Sequence, residues 1–572
     1  MGIRITNKIM TNNSLNNLNT NKILYDKIST QVSTQQKITR ASEDPVVAIR
    51  ALRLKSSLSS INQYYSKNIP DAESWLESTQ TALENIESCV SKIQELASKL
   101  SSGQYSLDEK KTLLNEYQSL REQIYDEGNA DVSGRSLLTG YKTNMSLSFQ
   151  TASTTASYRI TEKFSGSDVE KISYVSGAVD VNADDILTST ATEYDANTIE
   201  NNTLYRLRLS YSDLSENTSG PTSVSYSSSG TLSTSLTVAV TGSATGSVKV
   251  TVKADGTATV TGNDTSGDPY TATTDASGLV TITDSLGTTV GTFNYSVDGN
   301  KVTATATIPV TAVNLETGSE DATYLNTAAG GITFIKETGE LILGAGVYQS
   351  LQSCGEDAIS FTYEKTGFNA GELRPEHYFD CTNLETGAEY VNEGVAQNIE
   401  YTVNFNQTIT VNTEAKNVFD QSIGRDVDDL IAALEASIAA ETKKEKLEAM
   451  LSDSQYADKT EYIQSMLDAV EKECTYAEDK LQKLAEDSIT NFAGYAADIS
   501  NASTAVGSKL SRLALIEERA LKQQTNLQTL SEENIGVELS DVLIEQEAAS
   551  LAYNAALTAS SKIIKQTLLD FL

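Results

Sequence analysis

The sequence predicts a mainly α-helical protein with inserted β structure. Terminal amphipathic helices should pair into a coiled coil, and a long helical-bundle domain should be split by a Ser/Thr-rich β domain, possibly two. Three observations predict it. Apolar and small residues recur at heptad spacing at both chain ends. A stricter heptad runs through Leu76, Leu83, Val90 and Ala97, with Ile86, Ile93 and Leu100 on the alternate position. Between the helical stretches the period changes to two, and 32 of the 80 residues 221–300 are Ser or Thr while only eight are charged.

Taken in order, residues 1–44 read as an N-terminal amphipathic segment. Leu15, Leu18, Tyr25, Ile28 and Val32 recur at three, seven, three and four, in a stretch whose many asparagines lower helix propensity. Residues 1–41 carry six Lys/Arg against Asp26 alone, in a chain of net charge -34. A helical region follows over 45–142. Asp44 is a good N-cap, and Pro45 suits the first helical position, where its missing N–H costs nothing. Pro70 should kink or restart that helix. A second helix from Leu107 places Leu113, Tyr117, Leu120 and Ile124 on one face, and Asn129–Gly140 reads as a turn and hairpin.

Residues 143–416 read as the β insert. Strict alternation is clearest in Ser247–Lys253 and Val302–Ile308, and Asp298-Gly299-Asn300 is a hairpin turn. A small sandwich without a site is the plain expectation. Helix returns over 417–535, beginning with a helical hairpin over 417–484 that turns at Ser452–Ala457 and continues to about Leu530. Residues 536–572 read as a C-terminal helix with an a/d seam. Val542, Ala549, Ala556 and Ile563 fall seven apart, with Ala552 and Ala559 three residues after two of them. Small side chains let a partner helix approach to about 8 Å. A helix of about 30 residues, ~45 Å long, cannot bury its stripe alone. The acidic C-terminal end and the basic N-terminal end make each other the expected partner.

Composition excludes several function classes. A pI near 4.4 argues against nucleic acid, which needs a basic stripe. No apolar run reaches the ~20 residues of a membrane helix, and no cleaved secretory signal is read at the N-terminus. Cys89, Cys354, Cys381 and Cys474 are scattered without a Cys-x-x-Cys pair, so core thiols are expected rather than disulfides or a metal site. His377 is the single histidine, which leaves almost nothing for a His-based metal cluster or a Ser-His-Asp triad. Asp, Glu and Cys stand near it in Phe368–Cys381, yet a hydrogen-bonded loop residue is the expectation. No nucleotide-binding or hydrolase motif is present, and paired carboxylates single out nothing in so acidic a chain. No catalytic residue, cofactor or metal is assigned.

Several short motifs carry a resemblance. Arg4–Met10, Ser42-Glu43-Asp44-Pro45, Gly134-Arg135 with Leu138, Val506-Gly507-Ser508 with Arg512-Leu513, Glu538-Leu539-Ser540-Asp541 and Leu568–Leu572 make the chain resemble the flagellin superfamily over residues 1–142 and about 400–572. The Leu-Leu-Asp-Phe-Leu ending and the Ile-Thr-Asn start resemble the hook–filament junction branch of that family, with a filament flagellin as the alternative. Gly2 after Met1 departs from the family pattern. So does Gln35, which stands where the family usually has Gly, so the turn before Lys37 is expected to be helical. The insert over 150–330 matches no known member.

The resemblance implies a secreted, extracellular structural subunit of the bacterial flagellum and no enzyme. Its members leave the cell unfolded by type III export, and their termini fold on assembly. The implied partners are another hook-associated protein, flagellin, further copies in a ring and an export chaperone, with no nucleic acid and no membrane insertion. A surface enzyme housed in the β insert is the rival from another class.

Overall fold

The computed structural model describes residues 7–103, 105–231, 235–240, 246–253, 257–275, 278–298, 301–316, 318–391, 398–419 and 421–569. Its long helices are α1 (Asn7–Thr34), α2 (Pro45–Gln63), α3 (Ile69–Ser102), α4 (Leu107–Gly128), α5 (Ser422–Leu451), α6 (Thr460–Ile535) and α7 (Leu539–Leu569). Helices and sheets are thus mixed as expected. The chain divides into two compact units. A terminal unit holds residues 1–76, 400–411 and 508–572, and a second unit holds 77–399 and 412–507. The expected insert therefore gives its last hairpin, Glu400–Asn404 with Gln407–Thr410, to the terminal unit.

In the terminal unit, the Asp44 carboxylate accepts from the amides of Val46 and Val47, which caps α2 ahead of Pro45. Pro70 does not stop the helix. A π-turn over Tyr64–Asn68 precedes it, and the Ile69 amide reaches back to the Tyr64 carbonyl. Proline lacks an N–H and crowds the carbonyl four residues back, and one wide turn accommodates both. The 400–410 hairpin lies against this turn, where Asn68 Nδ2 donates to the Thr402 carbonyl at 2.7 Å. Val403, Ile409 and Val411 are buried beneath it.

In the second unit, α3 and α6 run antiparallel. Gln94 Nε2 donates to the Ile489 carbonyl, and Gln482 Nε2 to the Ser101 carbonyl. The heptad positions Leu83, Ile86, Val90, Ile93, Ala97 and Leu100 are all buried, as are Phe492 and Ile499 of α6. Helices α4 and α5 are likewise antiparallel. The buried Lys110 ammonium bonds Ser437 and Glu441, and Arg121 pairs with Asp428. A short 3-10 turn, Ser454–Lys459, joins α5 to α6. Asp131–Val132 and Arg135–Ser136 form the small hairpin read from sequence, with Ser133 and Gly134 at positive φ in its turn.

The insert is larger than a small sandwich. Fourteen of the described strands join one sheet, and a separate sheet holds Ser235–Ala239, Ser247–Val252 and Ala258–Thr261. The long strand Lys301–Val313 pairs antiparallel with Ser223–Thr231 and Thr289–Asp298, and parallel with Ile332–Ile335. Asp298 stands opposite Lys301 as a hairpin requires, while Gly299 and Asn300 of the expected turn lie outside the described residues. The Thr/Ser alternation is a two-faced strand. Ser225, Ser227 and Ser229 face Thr307, Thr305 and Thr303 as hydroxyl pairs on one side, and Val224, Tyr226, Val302, Ala304 and Ala306 are buried on the other.

Residues 179–199 bind the insert to the tip of the α5–α6 hairpin. Val179, Val181, Ile186 and Ile199 form one apolar cluster with Leu447, Ile463, Leu467 and Val470. Lys446 and Lys472 donate to the carbonyls of Val181 and Ile199 there.

Candidate assembly seam

The candidate site is the pairing of the two chain ends inside the terminal unit. Gln35 sets it up. Helix α1 stops at Thr34 because Gln35 takes a positive φ of 56°, so the turn is left-handed where a helical one was expected. That conformation is one that glycine adopts freely and other residues adopt at a cost. The chain then runs beside the end of α6. The Lys37 amide donates to the Ile535 carbonyl at 2.6 Å, the Val537 amide to the Gln35 carbonyl at 3.2 Å, and Gln36 bridges to Gly536. Gly536 fits because any Cβ there would stand 2.5 Å from the Glu532 carbonyl oxygen. Two helix ends are thereby clamped with their following or preceding helices side by side.

Along α1 and α7 the contacts are few and specific. Ile28, Val542 and Ala549 form a buried cluster, with Tyr25, Val32 and Val537 packed on it. Tyr25 stacks on Tyr553 with ring centroids 6.2 Å apart and planes 11° from parallel. Further along, the hydroxyls of Ser14 and Ser560 bond at 2.6 Å.

The sequence-predicted residues fall unevenly on this seam. Leu18, Tyr25, Ile28 and Val32 lie on the facing side of α1, as Val542, Ala549 and Ala556 do on α7. Leu15, Ala552 and Ala559 are exposed, each one position off the seam. The Ile563 side chain lies outside the described residues, as do Arg4–Thr6 and Asp570–Leu572. In the structure the least exposed positions run Thr11, Ser14, Leu18, Asn21, Tyr25, Ile28, Val32 on α1 and Val542, Gln546, Ala549, Tyr553, Ala556, Ser560 on α7. Both sets alternate steps of three and four, as a heptad should. The sequence reading took a step of three after Ala549 and Ala556 where the helix takes four. The missed members are Thr11, Ser14, Asn21, Gln546, Tyr553 and Ser560; all but Tyr553 are polar, so an apolar count passes over them, and Tyr553 was lost with the shifted step after Ala549. The unbroken heptad phase was the signal that could have found them.

Elsewhere, His377 sits in the short helix Pro375–Tyr378 of the second unit, buried, with Nε2 3.0 Å from the Ser146 carbonyl oxygen. Burial, with Lys142 and Arg374 nearby, pushes its pKa down to about 4, so the ring is a neutral donor to that carbonyl. No group of His, Cys, Asp and Glu among the described residues could hold a metal ion. All four cysteines are free thiols, three of them buried. No helix among the described residues is long and apolar enough to cross a membrane.

Residues 5–143 match the family profile of the bacterial flagellin N-terminal helical region. Over 143 residues the chain is 25% identical to flagellar hook-associated protein 3 of Salmonella typhimurium. Over 148 residues it is 26% identical to the protein of the same name from Escherichia coli. Each match covers 25% of this chain and 44% of the relative, so the chain spans less than half the length of the curated relatives it matches. A crystal structure of Xanthomonas campestris FlgL aligns over 84% of this chain and 99% of its own, at 13% identity and a TM-score of 0.28. So loose a superposition decides nothing about fold or function. The N-terminal quarter of the chain is thus similar to the flagellin N-terminal helical region and to the two named proteins of the hook-associated protein 3 type.

Proposed function

We propose that this chain is a secreted structural subunit of the bacterial flagellum, standing outside the cell at the junction of hook and filament, with no enzymatic activity. One observation carries the reading: the two chain ends close on each other through Tyr25, Ile28, Val542, Ala549 and Tyr553, in a chain that matches the flagellin N-terminal region. On this reading the terminal helices are a coiled-coil pair that orders on assembly. Residues 1–44 and 536–572 serve as the axial segments, 45–142 and 417–535 as the helical core, and 143–416 as the outer insert. The partners are another hook-associated protein, flagellin or its adaptor, and further copies of this chain in a ring. Before export, the apolar stripe of α7 is a docking site for an export chaperone.

Electron microscopy of cells lacking this protein, with a gel of the culture medium, tests the proposal. Hooks without filaments, and soluble flagellin shed into the medium, are expected. Normal filaments would overturn it. Missing filaments with one flagellin absent from the medium would point to a filament subunit instead.

A further inference from the structure

The second unit holds a cavity of about 600 Å³ between the sheet and the helix pair α5–α6, unrelated to the terminal seam. That size lies within the usual range of small-molecule sites, whereas packed interiors leave few voids larger than a water. Its walls are apolar in large part, from Ile172, the Tyr174 ring, Ala432, Ala433 and Leu484.

The charged groups at its base divide into those that are satisfied and those that are not. Arg206 is fully engaged, with Glu170 at 2.6 Å, Glu340 at 2.9 Å and Asp429 at 2.5 Å. Glu340 is held in turn by the Tyr324 and Thr338 hydroxyls. Burial pushes Glu340 up, yet Arg206 and Arg208 outweigh it and hold its pKa down at about 2. This part of the wall is a closed network that needs nothing more.

Two cations remain. Arg208 reaches Glu340 at only 3.3 Å and Asp429 at 3.8 Å, and its buried Nε has no hydrogen-bond partner. Lys480 lines the cavity, is mostly buried, and makes no hydrogen bond or ion pair among the described residues. Burial and the nearby Arg206 push the Lys480 pKa down, and the attraction of Glu340 and Asp429 only partly offsets them. A partly buried ammonium without a partner is costly, and an anionic group placed beside it removes the cost.

We propose that this cavity binds a small organic anion with an apolar body, its head group held by Lys480 and its body against Ala432, Ala433 and Leu484. The charge-assisted bonds fix the head and the apolar walls supply most of the area, which is the usual division of labour in such sites.

The probe is anilinonaphthalene sulfonate, an aromatic anion whose fluorescence rises in apolar surroundings, titrated into the full-length protein. Saturable binding of one equivalent is expected. Lys480→Gln should weaken it on the order of tenfold, the loss of one charge-assisted bond. Ala432→Trp, at an exposed position on the cavity wall, should abolish it by filling the space. Circular dichroism of both variants confirms the fold. Titrations that neither substitution changes would place the dye elsewhere and overturn the proposal, as would the lack of saturable binding in the parent protein.

Discussion

The α1–α7 seam of the terminal unit and the α3 helix in the second unit use the same heptad code and reach different ends. Between Leu83 and Leu100, six heptad positions of α3 are apolar and all six are buried. On the seam, only three apolar side chains are buried, with the Ser560 hydroxyl beside them, and much of the rest of the facing side is Ser, Asn, Gln or Tyr. Meanwhile Ile23, Leu24, Ile544 and Leu551 remain exposed on the outer faces of the two helices. At roughly 25 cal/mol per Å² of apolar surface removed from water, the first arrangement holds a helix in place within one chain, and the second barely offsets the entropy of ordering it. The difference teaches that a heptad in the sequence specifies which face packs, while the chemistry of that face specifies how firmly.

The largest effect should come from the firm side. Leu83→Ala deletes a fully buried side chain and should destabilise the second unit by about 2–5 kcal/mol. Denaturant unfolding followed by circular dichroism measures it. A loss below about 1 kcal/mol would mean that α3 is no better packed than the seam.

A middle-sized effect separates neighbouring alanines on α7. Ala556 is half-buried on the facing side, whereas Ala552 is exposed. Ala556→Leu should overpack the seam at about 1–3 kcal/mol. Ala552→Leu should leave the pairing of α1 with α7 unchanged. Amide hydrogen exchange over Asn7–Thr34 reads the difference, with faster exchange expected in the first variant alone. Equal exchange in the two would put the seam on the wrong face.

The smallest effect is a gain. Gln35→Gly relieves a left-handed backbone at about 1 kcal/mol, partly offset by the added freedom of glycine in the unfolded chain. A net gain of about 0.5 kcal/mol should appear as slower exchange at the Lys37 and Val537 amides, which the turn aligns. Faster exchange there would show that the Gln35 side chain itself holds the turn.

Local chemistry was legible wherever one residue type acts through its own backbone. Asp44 with Pro45 marked the start of α2, and the heptad from Leu83 to Leu100 marked the buried face of α3. The Asp131–Ser136 hairpin and the α5–α6 turn were legible for the same reason. Of the candidate seam, the sequence reading named Leu18, Tyr25, Ile28, Val32, Val542, Ala549 and Ala556, but it missed Tyr553 and the register. Ser14, Gln546 and Ser560 carry no apolar signal, so only the partner helix reveals that they face inward.

What the sequence determined by itself is therefore the type of the long helices, the start of α2, and the basic and acidic ends. Each depends on residues close together in the chain. Only the tertiary structure decided the rest. Pro70 passes through a helix because a π-turn opens before it, and Gln35 is left-handed because the Lys37 and Val537 amides are bound across the chain. A strand as short as Glu340–Leu343 is buried at every position, so it shows no alternation and joins a fourteen-stranded sheet by contacts with residues far away. Arg206, with its three carboxylates drawn from positions 170, 340 and 429, has no sequence signature at all. Long-range pairing is fixed by burial and hydrogen bonding between distant segments, and no local period encodes that.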